Sequence, residues 1–339
     1  MPSQKDKLIE SLPALYKHRK TFSQDRMKML RNKIGKLPGI ESFPALTIFA
    51  AGSFARDEAS EHSDIDLFFL HDGKKDDIVA PRTLELKCFG KLIEEATDMG
   101  FPDFSNDSEY LKIIYTENIL ASMGSSSDDY MNYFTVRMLL LLESKSLYND
   151  DQYDEVLAKI VRAYFRDFPT HEQSYVPIFL LNDINRFWRT LLLNYEHKRN
   201  QDADQKKIKQ KVKNYKLKFS RMTTCFATIA CIGSFDAPVT EAQVLEIVKL
   251  SPRDRLLSIV ERVPAAESLI QKLLERYSQF LENTGLTTEG LEAKMGDSTL
   301  KVNLFKSAEE YGNDFFELIC LLDEQPTKSG RKLLRYLVM

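Results

Sequence analysis

Two aspartates, Asp64 and Asp66, stand one residue apart at the head of an apolar run, in "SDIDLFFL". In an extended chain they share one face while Ile65 takes the other. Carboxylates that close repel unless one is protonated or a cation lies between them. Oxygen-only ligands suit Mg²⁺ or Mn²⁺. Upstream, "ALTIFAAGSFAR" ends a second apolar run in Gly52-Ser53. A Gly-Ser turn opening a helix offers backbone N–H groups and a hydroxyl to a phosphate. Arg56, one turn on, is placed to reach that phosphate or to brace the acidic strand, and Ser63 caps the entry to it. Metal-holding acids beside a phosphate cradle are the parts of nucleotidyl transfer. Asp57, Glu58 and Glu61 leave the strand face and are expected to be solvated.

These residues must be held by short buried strands. Residues 45–52 and 64–73 are apolar stretches bounded by turn signals and are expected to be strands. Helical spacing is expected over 4–36, broken at "KLPGIESFP", and over 80–100. "FPDFSND" is expected to be a short third strand. Beyond about residue 116 the pattern turns helical, over 128–147, 151–168, 175–198, the basic stretch through 232, 240–250, 252–261, 265–284 and 306–324, with 284–299 the most loop-like part. The expected fold class is α+β: a mixed sheet with flanking helices over 1–118, then an all-helical domain over 119–339.

The chain has 339 residues, 43% hydrophobic and 29% charged, as in an ordinary globular protein. No apolar run reaches the roughly 18 residues that a membrane helix needs, and no secretory leader is evident. Four scattered cysteines without CxxC pairing argue against zinc or a disulfide framework and fit a cytoplasmic location. The net charge of −3 hides a basic segment: residues 198–221 hold ten Lys or Arg against two Asp. Such a stretch is either a solvated helix face or a surface for phosphate or RNA. Lys216, Lys218 and Arg221, set among Tyr215, Leu217 and Phe219, are the better phosphate candidates; the lysines from 206 to 213 are expected to be solvated or to touch RNA. Arg186 and Arg189 lie three apart on one helical face beside Phe187 and Trp188, and suit a phosphate or carboxylate partner.

The stretch "GSFARDEASEHSDIDLFFL" resembles the signature of the DNA polymerase β-like nucleotidyltransferase superfamily. Within it, the Arg, the Glu and the Ser-Asp-Ile-Asp ending are most similar to the minimal nucleotidyltransferases and to the protein-PII uridylyltransferases with their bacterial relatives. "NDINRFWRTLLLNYEHK" and "NYKLKFSR" resemble downstream segments of the latter. The resemblance implies an NTP held at Gly52 and Ser53, with further phosphate contacts from Arg56, Ser63 and the helical cations. It implies Mg²⁺ or Mn²⁺ on Asp64 and Asp66, and a third carboxylate on the next strand, for which Asp103 is the candidate, with Asp107 and Glu109 behind it. NMP would pass to an acceptor hydroxyl on a protein, a tRNA 3′ end or another nucleotide. A cyclic-dinucleotide or oligonucleotide second-messenger synthase, and a non-catalytic sensor or antitoxin-like module, are the alternative expectations.

Overall fold

The structure is a computed structural model that describes residues 4–74, 80–102, 104, 111–201, 207–325 and 332–338, with the side chains of 198–201 left aside. The chain divides into two compact units, one of residues 17–163 and one of residues 164–339 together with 1–16.

The first unit is built on a mixed four-stranded sheet in the order β3-β2-β1-β4. The strands are β1 (Leu46–Ala51), β2 (Asp66–His71), β3 (Ile113–Tyr115) and β4 (Ser144–Tyr148). β1 runs antiparallel to both neighbours, and β3 is parallel to β2. Both central strands are continuous apolar runs because both faces of the sheet are covered. Ile48, Ala50, Leu67 and Phe69 join a core with Leu92 and Phe89 of the helix Arg82–Asp98 and with Leu30 and Ile34 of the helix Ala14–Ile34. On the other face Phe49 stacks on Phe68, centroids 5.1 Å apart, and meets Tyr153 at 6.4 Å. Successive residues along each strand thus serve the two faces in turn, although both faces being apolar leaves no polar–apolar alternation in the sequence.

Three local expectations are corrected. The described residues of "FPDFSND" (101, 102 and 104) are not in a strand; β3 lies ten residues on, at Ile113–Tyr115. The helix expected over 128–147 is interrupted. Asn132 takes a left-handed conformation (φ 61°), a helix runs Tyr133–Glu143, and Ser144–Tyr148 pairs with β1 as an edge strand. Third, 284–299 is mostly helix: Thr287 Oγ1 accepts from Gly290 N and Asp297 Oδ1 from Leu300 N, so polar residues that read as loop are N-caps.

β4 is seated by its own turn. Asn149 is left-handed (φ 57°), and its Nδ2 donates to Pro44 O and Leu46 O at 3.0 and 3.2 Å. Arg31 donates to Ser146 O at 2.7 Å and to both carboxylate oxygens of Asp150, which holds that carboxyl below its usual range. Asn149→Ala loses asparagine's tolerance of the left-handed turn and removes both side-chain bonds, so it should destabilise by about 2 kcal/mol. Asn149→Gly keeps the turn and should cost about half as much. Urea midpoints of the two variants check the order.

The second unit is all-helical among the described residues. A buried aromatic group of Tyr215, Phe219, Phe280 and Tyr311 organises it, with Phe219 stacked on Phe280 at 4.8 Å and on Tyr311 at 4.6 Å. Burial pushes the Tyr215 hydroxyl up to about 12. Arg255, fully buried, donates to Ile247 O, Val248 O and Thr228 Oγ1, and so closes the end of the helix Glu241–Lys249.

Candidate active site

The site is assembled where β1 ends and β2 begins. Antiparallel pairing sets Ala51 opposite Asp66. Gly52 follows with φ +76°, and a β-carbon placed there would lie 3.2 Å from Asp66 Oδ2. The absence of a side chain at Gly52 therefore lets the turn lie against the carboxylate. Phe54 is buried between Phe22 and Phe101, at 6.3 and 5.3 Å, which anchors the Gly-Ser turn; that burial is worth about 2 kcal/mol.

The helix that the Gly-Ser turn opens is one turn long, Gly52–Ala55. It stops because Asp57 adopts a left-handed conformation (φ 60°), after which Glu58 N donates back to Ser53 O at 2.9 Å. One face of the helix Ala14–Ile34 then pins the loop. Ser23 Oγ accepts from Ala59 N at 3.0 Å, Arg19 donates to Ala59 O, and Gln24 donates to Asp57 Oδ2. Ser63 Oγ accepts from Ser60 N at 2.9 Å, closing the turn ahead of Asp64. Ser63 thus serves the backbone just before the acids.

Asp64 is exposed, Ile65 is buried and Asp66 is half-exposed, which is the alternation that the spacing demands. Ser53 is half-exposed beside them. Arg56 is turned inward instead. Its guanidinium is 7% exposed and donates from Nε to Glu58 Oε2 at 2.8 Å and from Nη1 to Glu143 Oε2. Arg56 thus ties Glu58 of the loop to Glu143 at the end of the helix Tyr133–Glu143. Asp57 and Glu58, expected to be solvated, are buried: Asp57 pairs with Lys145 of β4 at 2.7 Å. Glu143 and Lys145 are thus parts of the site's frame that the sequence reading missed. Only the junction of the helix Tyr133–Glu143 with β4 brings them here, and nothing local in "LESKSL" announces it.

The charges decide what the site accepts. Arg56 and Lys145 pair with Glu58, Glu143 and Asp57, while Asp64 is exposed and Asp66 half-exposed, and both bring carboxylate oxygens. Such a set suits a hard divalent cation. Among the described residues no cluster of three or more His, Cys, Asp or Glu is arranged to hold a metal. Asp103, Asp107 and Glu109, the candidates for a third acid, lie outside the described residues.

The remaining expected residues belong to the second unit. Lys216 is exposed, Lys218 lies 5.9 Å over the Phe305 ring, and Arg221 ends a five-residue π-helical turn, Leu217–Arg221. Phe187 is buried and Trp188 packs edge-on against Phe226 at 5.8 Å, so these two do pack their helix, Ile178–Gln201. Arg186 and Arg189 lie on the opposite side and line a common cavity.

A mixed sheet with flanking helices, presenting Gly-Ser just after one strand and Asp-x-Asp at the entry to its antiparallel neighbour, agrees with the nucleotidyltransferase class. Residues 38–120 match the family model described as nucleotidyltransferase domain, and the match spans Gly52, Ser53, Asp64 and Asp66. No curated protein and no solved structure matches the chain. No helix among the described residues is long and apolar enough to cross a membrane.

Gly52→Ala tests the close approach. The substitution is strained at this φ and crowds Asp66, so it should destabilise by about 1–2 kcal/mol. If Asp66 acts in catalysis, activity should fall roughly 10–100-fold through its displacement. Thermal unfolding and transfer assays separate the two effects.

Proposed function

We propose that the chain is an Mg²⁺- or Mn²⁺-dependent nucleotidyltransferase that moves NMP from an NTP to an acceptor hydroxyl. The observation that carries this reading is the Asp-x-Asp pair, with Asp64 exposed and Asp66 half-exposed against the side-chain-free Gly52, within a matched nucleotidyltransferase domain. Asp64 and Asp66 would hold the divalent cation, which when bound neutralises the triphosphate and lowers the pKa of the attacking hydroxyl. Gly52 N–H and the Ser53 hydroxyl would bind the phosphates to be released. The acceptor oxygen bonds to the α-phosphorus, the bond to the β-phosphate oxygen breaks, and pyrophosphate leaves. The hydroxyl proton passes to a carboxylate, for which Asp103 is the first candidate. Braced by Arg56, the loop before Asp64 keeps the two aspartates in register with Ser53.

The test is incubation of the full chain with each α-labelled NTP, Mg²⁺ or Mn²⁺, and a cell extract fractionated into protein, RNA and small molecules. Label should enter one fraction with release of pyrophosphate, and the Asp64→Asn/Asp66→Asn protein should give neither. Absence of incorporation, of pyrophosphate release and of NTP binding in the wild type would overturn the proposal.

A further inference from the structure

The helix Ile178–Gln201 has two unlike faces. Leu180, Leu181, Ile184 and Phe187 are buried. The opposite face places Asn182, Asn185, Arg186, Arg189 and Thr190 at helical spacings of three and four, and with Leu337 they line a cavity of ≈ 310 Å³. A merely solubilising face mixes charges of both signs. This one carries two guanidiniums, two carboxamides and a hydroxyl.

The cavity is framed by structure. Its far wall is the helix Leu333–Val338. Leu333 is buried against Gly233, where a β-carbon would stand only 2.5 Å from Leu333 Cδ2. Leu334 N donates to Asp323 Oδ1 at 2.8 Å, and Asn185 Nδ2 donates to Leu337 O at 2.9 Å. Arg186 is oriented by the buried Asp183, 3.5 Å away, which Tyr164 OH holds at 2.8 Å. Arg189 and Asn182 are exposed at the mouth. Leu193 and Val338, 70% and 79% exposed, give the rim an apolar side.

We propose that this cavity binds a small phosphate ester of about nucleoside-monophosphate size. The guanidiniums of Arg186 and Arg189 take the phosphate, for which their fork of donors is matched. Asn182 and Thr190 take the polar edge of the organic body, and Leu193 and Val338 cover its apolar side. The volume lies at the lower end for small-molecule sites, as a ligand of that size requires. The inference does not rest on the transfer reaction.

The experiment is calorimetric titration of the full-length Asp64→Asn/Asp66→Asn protein in EDTA, so that metal-dependent NTP binding at the transfer site is removed. The probes are AMP, UMP, adenosine, uridine and inorganic phosphate. At least one monophosphate should bind, with its nucleoside at least tenfold weaker. Arg189→Ala, an exposed position, should weaken the monophosphate tenfold or more with an unchanged circular-dichroism spectrum, and Arg189→Lys should recover part of the loss. No binding at millimolar monophosphate, or equal binding by the Arg189→Ala protein, would overturn the site. Inorganic phosphate binding as tightly as the ester would overturn the ester assignment. A negative result here leaves the wild-type transfer assay to stand or fall alone.

Discussion

Asp64→Asn and Asp66→Asn should each lower the proposed nucleotidyl transfer by about 10³-fold or more while leaving the fold in place. The size follows from what the carboxylates are proposed to do. Fixed charges aimed at the reacting phosphates are worth 10²–10³-fold apiece, and losing the bound cation removes more. The fold should survive because Asp64 is exposed and Asp66 half-exposed, and such positions seldom change stability by more than about 0.5 kcal/mol. Relieving their mutual repulsion offsets part of any loss. The measurement is pyrophosphate release with Mg²⁺ and with Mn²⁺, alongside a thermal melt. A variant that keeps a tenth of wild-type activity with either metal would show that the pair does not hold the catalytic cation. The same assay ranks the third acid: of Asp103→Asn, Asp107→Asn and Glu109→Gln, the one at the proton-accepting position should fall about 10²-fold or more, and the other two should stay near wild type.

What was legible in the sequence follows from how local its causes are. β1 and β2 declare themselves because each is a largely apolar run, and the extended entry to β2 leaves Asp64 exposed and Asp66 half-exposed with Ile65 buried between them. β4 was not legible. "SKSLY" has few β-branched or aromatic residues and follows a leucine-rich helix without a Gly or Pro, so its strand character comes from pairing with β1 and not from propensity. The acids of "ARDEAS" were misread for a related reason. Their partners, Glu143 through Arg56 and Lys145 directly, lie 87 and 88 residues away along the chain, beyond any window of helical or strand periodicity. Asp57 and Glu58 read as solvated because the burial that makes Arg56 a brace comes from residues far along the chain, not from the stretch itself.

That frame gives the second large expectation: Arg56→Ala destabilises the protein by about 3–5 kcal/mol, through charge and not through lost packing. Arg56 is the cation between Glu58 and Glu143, whose side chains are 5% and 0% exposed. Removing it takes a cationic partner from two carboxylates that are nearly closed to water, and raises the cost of keeping them ionised. Arg56→Lys keeps a charge but not the fork that reaches both acids at once, so it should fall between wild type and alanine. The decisive comparison adds Glu58→Gln and Glu143→Gln to the Arg56→Ala background. If stranded negative charge is the cause, these changes recover much of the stability, and a double-mutant cycle gives a coupling of more than about 1 kcal/mol. If the alanine variant merely lacks a side chain, they recover nothing. The activity of the recovered protein then separates frame from chemistry. The loop from Asp57 to Ser63 leads directly into Asp64, so a fold regained without the Arg56 brace should still transfer more slowly than wild type, with the deficit in kcat and not in overall stability.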